Sequence, residues 1–96
     1  MKLLSVQPST KPEKKLMAIF QNENGRKKTT HFGQATADDY TKTHDKAQRD
    51  RYRTRHAKDL QTGDATKAGH LSYYLLWGDS TSLQTNISAY KKRFNL

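Results

Sequence analysis

Asn24-Gly25 stands between two strand-like runs, Leu16–Phe20 and Lys27–Phe32, and constrains the fold more than any other feature of the chain. Both central residues of a type I′ turn need positive φ, so Asn-Gly in this setting predicts a β-hairpin from about Lys15 to Phe32. Upstream, Leu3, Leu4 and Val6 make a short strand-like start. The stretch Gln7–Lys15 holds both prolines and almost nothing apolar, which reads as an extended linker. Residues 1–14 are therefore expected as a strand-like start and flexible basic arm, free to swing or to lie on a neighbour. Residues 15–96 are expected as one compact domain.

Beyond Gly33 the periodicity changes from two to about four. From roughly Thr43 to Leu60 there is no Gly or Pro, and Gln48, Tyr52, His56 and Leu60 recur four apart, a narrow semi-apolar stripe on a charged helix. Opposite charges also fall at helical spacing: Asp45 with Arg49, Lys46 with Asp50, Arg55 with Asp59. Asp38-Asp39 stands ahead of this helix, and Gln61-Thr62-Gly63-Asp64 closes it. His70–Trp77 is the most apolar segment and predicts a short buried helix, with Gly78 as a left-handed stop. Asp79-Ser80-Thr81-Ser82 offers N-cap residues for a last amphipathic helix, whose Leu83, Ile87, Tyr90 and Phe94 share one face. Lys91-Lys92-Arg93 sit in its final turn, where cations complement the helix dipole. The expected fold class is α+β: a small antiparallel sheet of two or three strands followed by about three α-helices.

Length and charge narrow the function. Ninety-six residues hold one core, and 18 Lys and Arg against nine Asp and Glu give a formal charge of +9. Such a chain seeks anionic partners. The charge is uneven: residues 1–33 carry seven bases and two acids, whereas residues 34–70 carry eight bases and six acids. Without cysteine there is no disulfide, thiol nucleophile or Cys-ligated zinc, and no run is long and apolar enough to predict a membrane span or a secretory leader.

Two cationic groups are the candidates for partner or polyanion contact. The first is Lys46, Arg49, Arg51, Arg53, Arg55 and Lys58 on the long helix; successive positions are about 100° apart, so these wrap most of its surface except the Tyr52 stripe. Arginine suits the role because its planar fork binds phosphate or carboxylate bidentately. The same residues fit a solvated helix held by its own ion pairs, and Asp45, Asp50 and Asp59 weaken the nucleic-acid case. The second group is Lys11, Lys14 and Lys15 with Arg26, Lys27 and Lys28, near the hairpin's ends and turn; exposed lysines there also serve simply to protect sheet edges. His31, His44, His56 and His70 follow no metal-binding spacing, and a nuclease-like site of His44 or His56 with Asp38 or Asp39 ranks third. No nucleophile elbow or phosphate loop is present, so no catalytic residue, cofactor or metal is expected. The aromatics Tyr73, Tyr74, Trp77, Tyr90 and Phe94 lie among leucines and favour a core shared by the two C-terminal helices over a base-stacking platform.

Taken in order, His31-Phe32-Gly33, Asp39-Tyr40-Thr41, His44-Asp45-Lys46, Arg49-Asp50-Arg51-Tyr52-Arg53, Arg55-His56, Leu71-Ser72-Tyr73-Tyr74-Leu75-Leu76-Trp77-Gly78 and Tyr90-Lys91-Lys92-Arg93-Phe94 carry a resemblance. Over about residues 15–96 the chain resembles a family of short basic proteins of large DNA viruses of algae and protists and of some algae. The resemblance implies a context and no site chemistry: a non-enzymatic virion structural protein, such as a minor capsid component that bridges or cements larger capsid proteins. Its partners would be other capsid or virion proteins, and its location the virion or otherwise the host cytoplasm or nucleus. The alternative is a basic nucleic-acid-binding protein that neutralises phosphates of a viral genome or an RNA particle.

Overall fold

A computed structural model describes residues 1–96. The chain forms a three-stranded antiparallel meander, β1 (Lys2–Pro8), β2 (Lys14–Gln21) and β3 (Lys27–Gln34), in the order β1-β2-β3. Helices follow: α1 (Tyr40–Thr43), α2 (Lys46–His56), a 3-10 segment at Ala57–Thr62, α3 (Ala68–Leu71), which continues into a π-helical turn at Ser72–Leu76, and α4 (Leu83–Phe94). This is the α+β class expected. No helix is long and apolar enough to cross a membrane.

The hairpin spans Lys14–Gln34, with Phe20 paired to Lys28 and Leu16 to Phe32. Its turn differs from the type I′ expectation. Only Gly25 has positive φ (+82°); the Gly25 N–H donates to the Asn22 carbonyl at 3.0 Å and the Asn22 N–H to the Arg26 carbonyl at 2.9 Å. That is a three-residue loop ending in a left-handed glycine, and the Asn22 side chain stabilises it by accepting from the Asn24 and Arg26 amides.

The expected free arm is also corrected. Lys2–Pro8 pairs with β2, and Leu3 is buried in the core, because β2 without β1 would leave a ladder edge and an apolar flank bare. A bulge between Leu3 and Ser5 turns Leu4 out to solvent. The connecting turn is tied as well: Ser9 Oγ lies 2.7 Å from His31 Nδ1 and accepts from the Lys11 amide.

One face of the meander, with Leu3, Ala18, Phe20 and Phe32, meets Leu71, Leu75, Leu76, Trp77 and Tyr90 in a single nine-residue core. Partly buried Leu83, Ile87 and Phe94 extend it along α4, the face that the sequence spacing marked. Ser82 caps α4 by accepting from the Thr85 amide. Asn86 is the polar pin of this layer: its amide donates to the Leu75 and Ser80 carbonyls at 3.0 and 2.8 Å and accepts from the Ser80 N–H at 3.0 Å. Gly78 is no left-handed stop; its φ is not positive, and it is glycine because a Cβ there would lie 2.2 Å from the Tyr74 carbonyl oxygen.

Tyr90 buries its ring and donates its hydroxyl to the Ala65 carbonyl at 2.5 Å. Burial, aided by nearby Tyr74 and Asp64, pushes its pKa well above the usual value of 10.0, and burial raises Tyr52 in the same direction. A group raised in this way stabilises the fold fully below the unfolded pKa and loses that contribution as pH climbs through the folded one. Urea midpoints are therefore expected to fall as pH is taken above about 10. Tyr90→Phe should flatten that decline while costing about 1–2 kcal/mol at neutral pH through the orphaned Ala65 carbonyl.

Candidate functional site

The long helix begins later than the spacing suggests. His44 adopts φ 58° and separates α1 from α2; Asp39 caps α1 by accepting from the Thr41 amide, and Asp45 caps α2 by accepting from the Gln48 amide. At the other end α2 tightens into the 3-10 segment after His56. None of the three intrahelical ion pairs expected forms. Arg49 instead pairs with the adjacent Asp50 at 3.0 Å and lies 4.9 Å from the Tyr40 ring centroid. Arg53 donates to the Trp77 carbonyl at 2.9 Å and to Asp79 at 2.8 Å, and sits over Tyr73. Asp59 takes His56 as its partner at 3.0 Å. Each acid of the expected pairs is thus taken by another partner, Asp45 by the Gln48 amide, Asp50 by Arg49 and Asp59 by His56, while the half-buried Arg53 finds its acceptors on the Trp77–Asp79 segment.

The expected contact residues thus divide. Lys15 is half-buried, with Nζ 2.6 Å from the buried Asp39 carboxylate and 2.5 Å from the Ala37 carbonyl. Arg49 is buried and Arg53 half-buried. Lys28 is exposed but reaches Thr66 Oγ1 at 2.8 Å, helping to fasten the 63–67 loop to β3, where Thr30 also donates to the Thr66 carbonyl. Lys11, Arg26, Lys27, Lys46, Arg51, Arg55 and Lys58 are exposed and Lys14 half-buried, none in an ion pair. Four of the 18 Lys and Arg side chains form ion pairs with carboxylates, while the aspartates are engaged in ion pairs or helix caps, save Asp64, which accepts from the Thr66 amide and hydroxyl. The surface is left with many more unpaired cations than unpaired acids, among the latter the exposed Glu13 and Glu23.

No group of three His, Asp or Glu side chains gathers as a metal site would require. Asp39 spends its oxygens on Lys15 and on the Thr41 amide and hydroxyl, and Asp38 faces only Lys42 at 3.7 Å. His70 is buried among Tyr74 and Phe94, and this burial lowers its pKa. The C-terminal aromatics form the shared core expected: Tyr74, Tyr90 and Phe94 meet with centroids 4.7–5.7 Å apart. Trp77 is buried and Tyr73 half-buried under Arg53, so neither projects as a free anchor.

Between the ends of β2 and β3 and the α2–α3 layer lies an open cleft of about 580 Å³. One wall is a stack of three rings. Tyr52 lies between Trp77, at 4.4 Å and 10° between planes, and His56, at 4.1 Å and 23°. The Tyr52–His56 contact is legible as an i,i+4 pair; Trp77 arrives from the π-helical turn and had no local signal. Asp59 fixes the His56 ring through Nδ1, and Arg55 and Lys14 stand in the lining. A family model described as a family of unknown function (DUF5754) matches residues 4–56, more than half of the chain. No curated protein and no solved structure matches.

Proposed function

Starting from a chain that belongs to the DUF5754 family, we propose a non-enzymatic structural role in the particle of a large DNA virus, as a minor capsid component that bridges or cements larger capsid proteins. The observation that supports it is the uncompensated cationic surface: Arg51, Arg55 and Lys58 are exposed without carboxylate partners, while Lys15, Arg49 and Arg53 are used internally. A body with twice as many bases as acids, most of its cations exposed and outside any ion pair, adheres to acidic surfaces. The viral context comes from the resemblance that the order of motifs, from His31-Phe32-Gly33 to Tyr90–Phe94, carries to short basic proteins of large DNA viruses. In purified, nuclease-treated particles the protein is expected at fixed stoichiometry with a coat protein; absence from the shell fraction would end this reading. The triple variant Arg51→Gln, Arg55→Gln, Lys58→Gln is expected to keep its urea midpoint and to wash off shells at lower salt.

The same charge imbalance favours a second reading, a nucleic-acid-binding protein that neutralises phosphates. It predicts that affinity for DNA or RNA falls steeply with salt, with a log–log slope of about −0.9 per phosphate contacted on duplex DNA. Affinity that hardly changes between low and physiological salt removes it.

A further inference from the structure

We infer that the cleft beside α2 binds a single nucleotide unit, its base laid on the open side of the His56 ring and its phosphate met by Arg55 and Lys14. The inference rests on neither reading above, since a capsid bridge and a phosphate neutraliser both leave this cleft unassigned. Four observations carry it. The cleft's volume of about 580 Å³ falls within the range occupied by small organic ligands. The platform is stiff: Trp77 is buried at its base, Tyr52 is held between two rings, and Asp59 holds the His56 imidazole. The stack is unfinished: His56 has Tyr52 on one side and no further ring on the other, and its side chain is 38% exposed. A planar base continues the series of near-parallel rings, an arrangement in which aromatic platforms hold bases of any sequence.

The charges around the platform fit the rest of a nucleotide. Arg55 and Lys14 line the cleft and neither is in an ion pair, so their positive charge is available to a phosphate. The two carboxylates in the lining, Asp38 and Asp59, disfavour an anion that lacks a ring to anchor it. Base and phosphate are therefore both needed. A free mononucleotide and an unpaired nucleotide within a strand present the same chemistry, and the experiment separates them.

The full chain carries one tryptophan, Trp77, at the base of the stack, which makes its emission a direct reporter. Titration with AMP, GMP, CMP and UMP, and with a short unpaired oligonucleotide, is expected to change Trp77 emission saturably. The accompanying amide shifts should centre on Lys14 and on residues 52–59. His56→Ala and Arg55→Gln should each weaken binding about tenfold, and His56→Phe, which keeps a ring, should retain most of it. Arg55 is exposed, so its variant reads binding even if His56→Ala disturbs the fold. Saturation by mononucleotides assigns the site to the free ligand; saturation only by the strand assigns it to an unpaired nucleotide. The inference is overturned if nothing saturates, if inorganic phosphate binds as well as a nucleotide, or if Lys91→Gln with Lys92→Gln weakens binding as much as His56→Ala. Particle stoichiometry is untouched by any of these outcomes, so the capsid reading stands or falls separately.

Discussion

Replacing Lys15 by methionine is expected to lower stability by about 3 kcal/mol, read as a drop in urea midpoint at constant slope. Lys15 was marked in the sequence as a surface cation for a partner, but its ammonium is the counter-ion of Asp39, whose side chain is only 3% exposed. Removing the ammonium leaves a desolvated carboxylate and the Ala37 carbonyl short of a donor, and breaking a buried pair from one side costs far more than an exposed pair is worth. The lower end of the buried-pair range applies because Lys15 itself is 21% exposed and water reaches it. Adding Asp39→Asn should recover part of the loss by removing the stranded charge. Lys27→Met, on an exposed and unpaired cation of the same hairpin, should shift the midpoint hardly at all. Equal midpoints for the two lysine variants would show that the Asp39 pair does not stabilise the fold.

Gly78→Ala is expected to be at least as damaging, with a loss of about 3 kcal/mol or more and a fall in Tm of about 12 °C or more. The added methyl would meet the Tyr74 carbonyl oxygen at 2.2 Å and the Asn86 side chain at 2.8 Å. Neither yields cheaply: the oxygen belongs to the π-helical backbone, and Asn86 is held by its bonds to Leu75 and Ser80. Because the closest contact is with backbone, trimming the neighbour in an Asn86→Ala, Gly78→Ala double variant should give no rescue. Differential scanning calorimetry of Gly78→Ala, Asn86→Ala and the double variant decides it; recovery in the double variant would place the clash on Asn86 instead.

The fold was legible where a local rule acts alone. Asn24-Gly25 between alternating runs gave away the hairpin, and the spacing of Leu83, Ile87, Tyr90 and Phe94 gave away the inner face of α4. What stayed hidden depends on residues far apart in the chain. Lys15 with Asp39 and Arg53 with Asp79 pair across loops, so no spacing rule marks them. The intrahelical pairs, worth only about 0.3–0.5 kcal/mol each, lost to other local partners: Asp45 caps the Gln48 amide, Asp50 takes Arg49 and Asp59 takes His56. The first strand was half-visible in Leu3 and Val6, but the prolines and lysines after it resemble a linker, and only pairing with β2 shows the segment to be part of the sheet. Of the candidate site, Tyr52 and His56 were in view as a stripe, whereas the ring that completes their stack is delivered by a π-helical turn that residue propensities do not signal.

The meander also has a consequence for synthesis. Each strand pairs only with its neighbour in sequence, so the loops to be closed are short and the sheet can zip as soon as it clears the ribosome. The side chains that roof it, Leu71 to Trp77 and Tyr90, emerge last. During that interval Phe20 and Phe32 face water on a nascent sheet with nothing laid over them, and this is the window in which the growing polypeptide is most prone to self-association or chaperone capture.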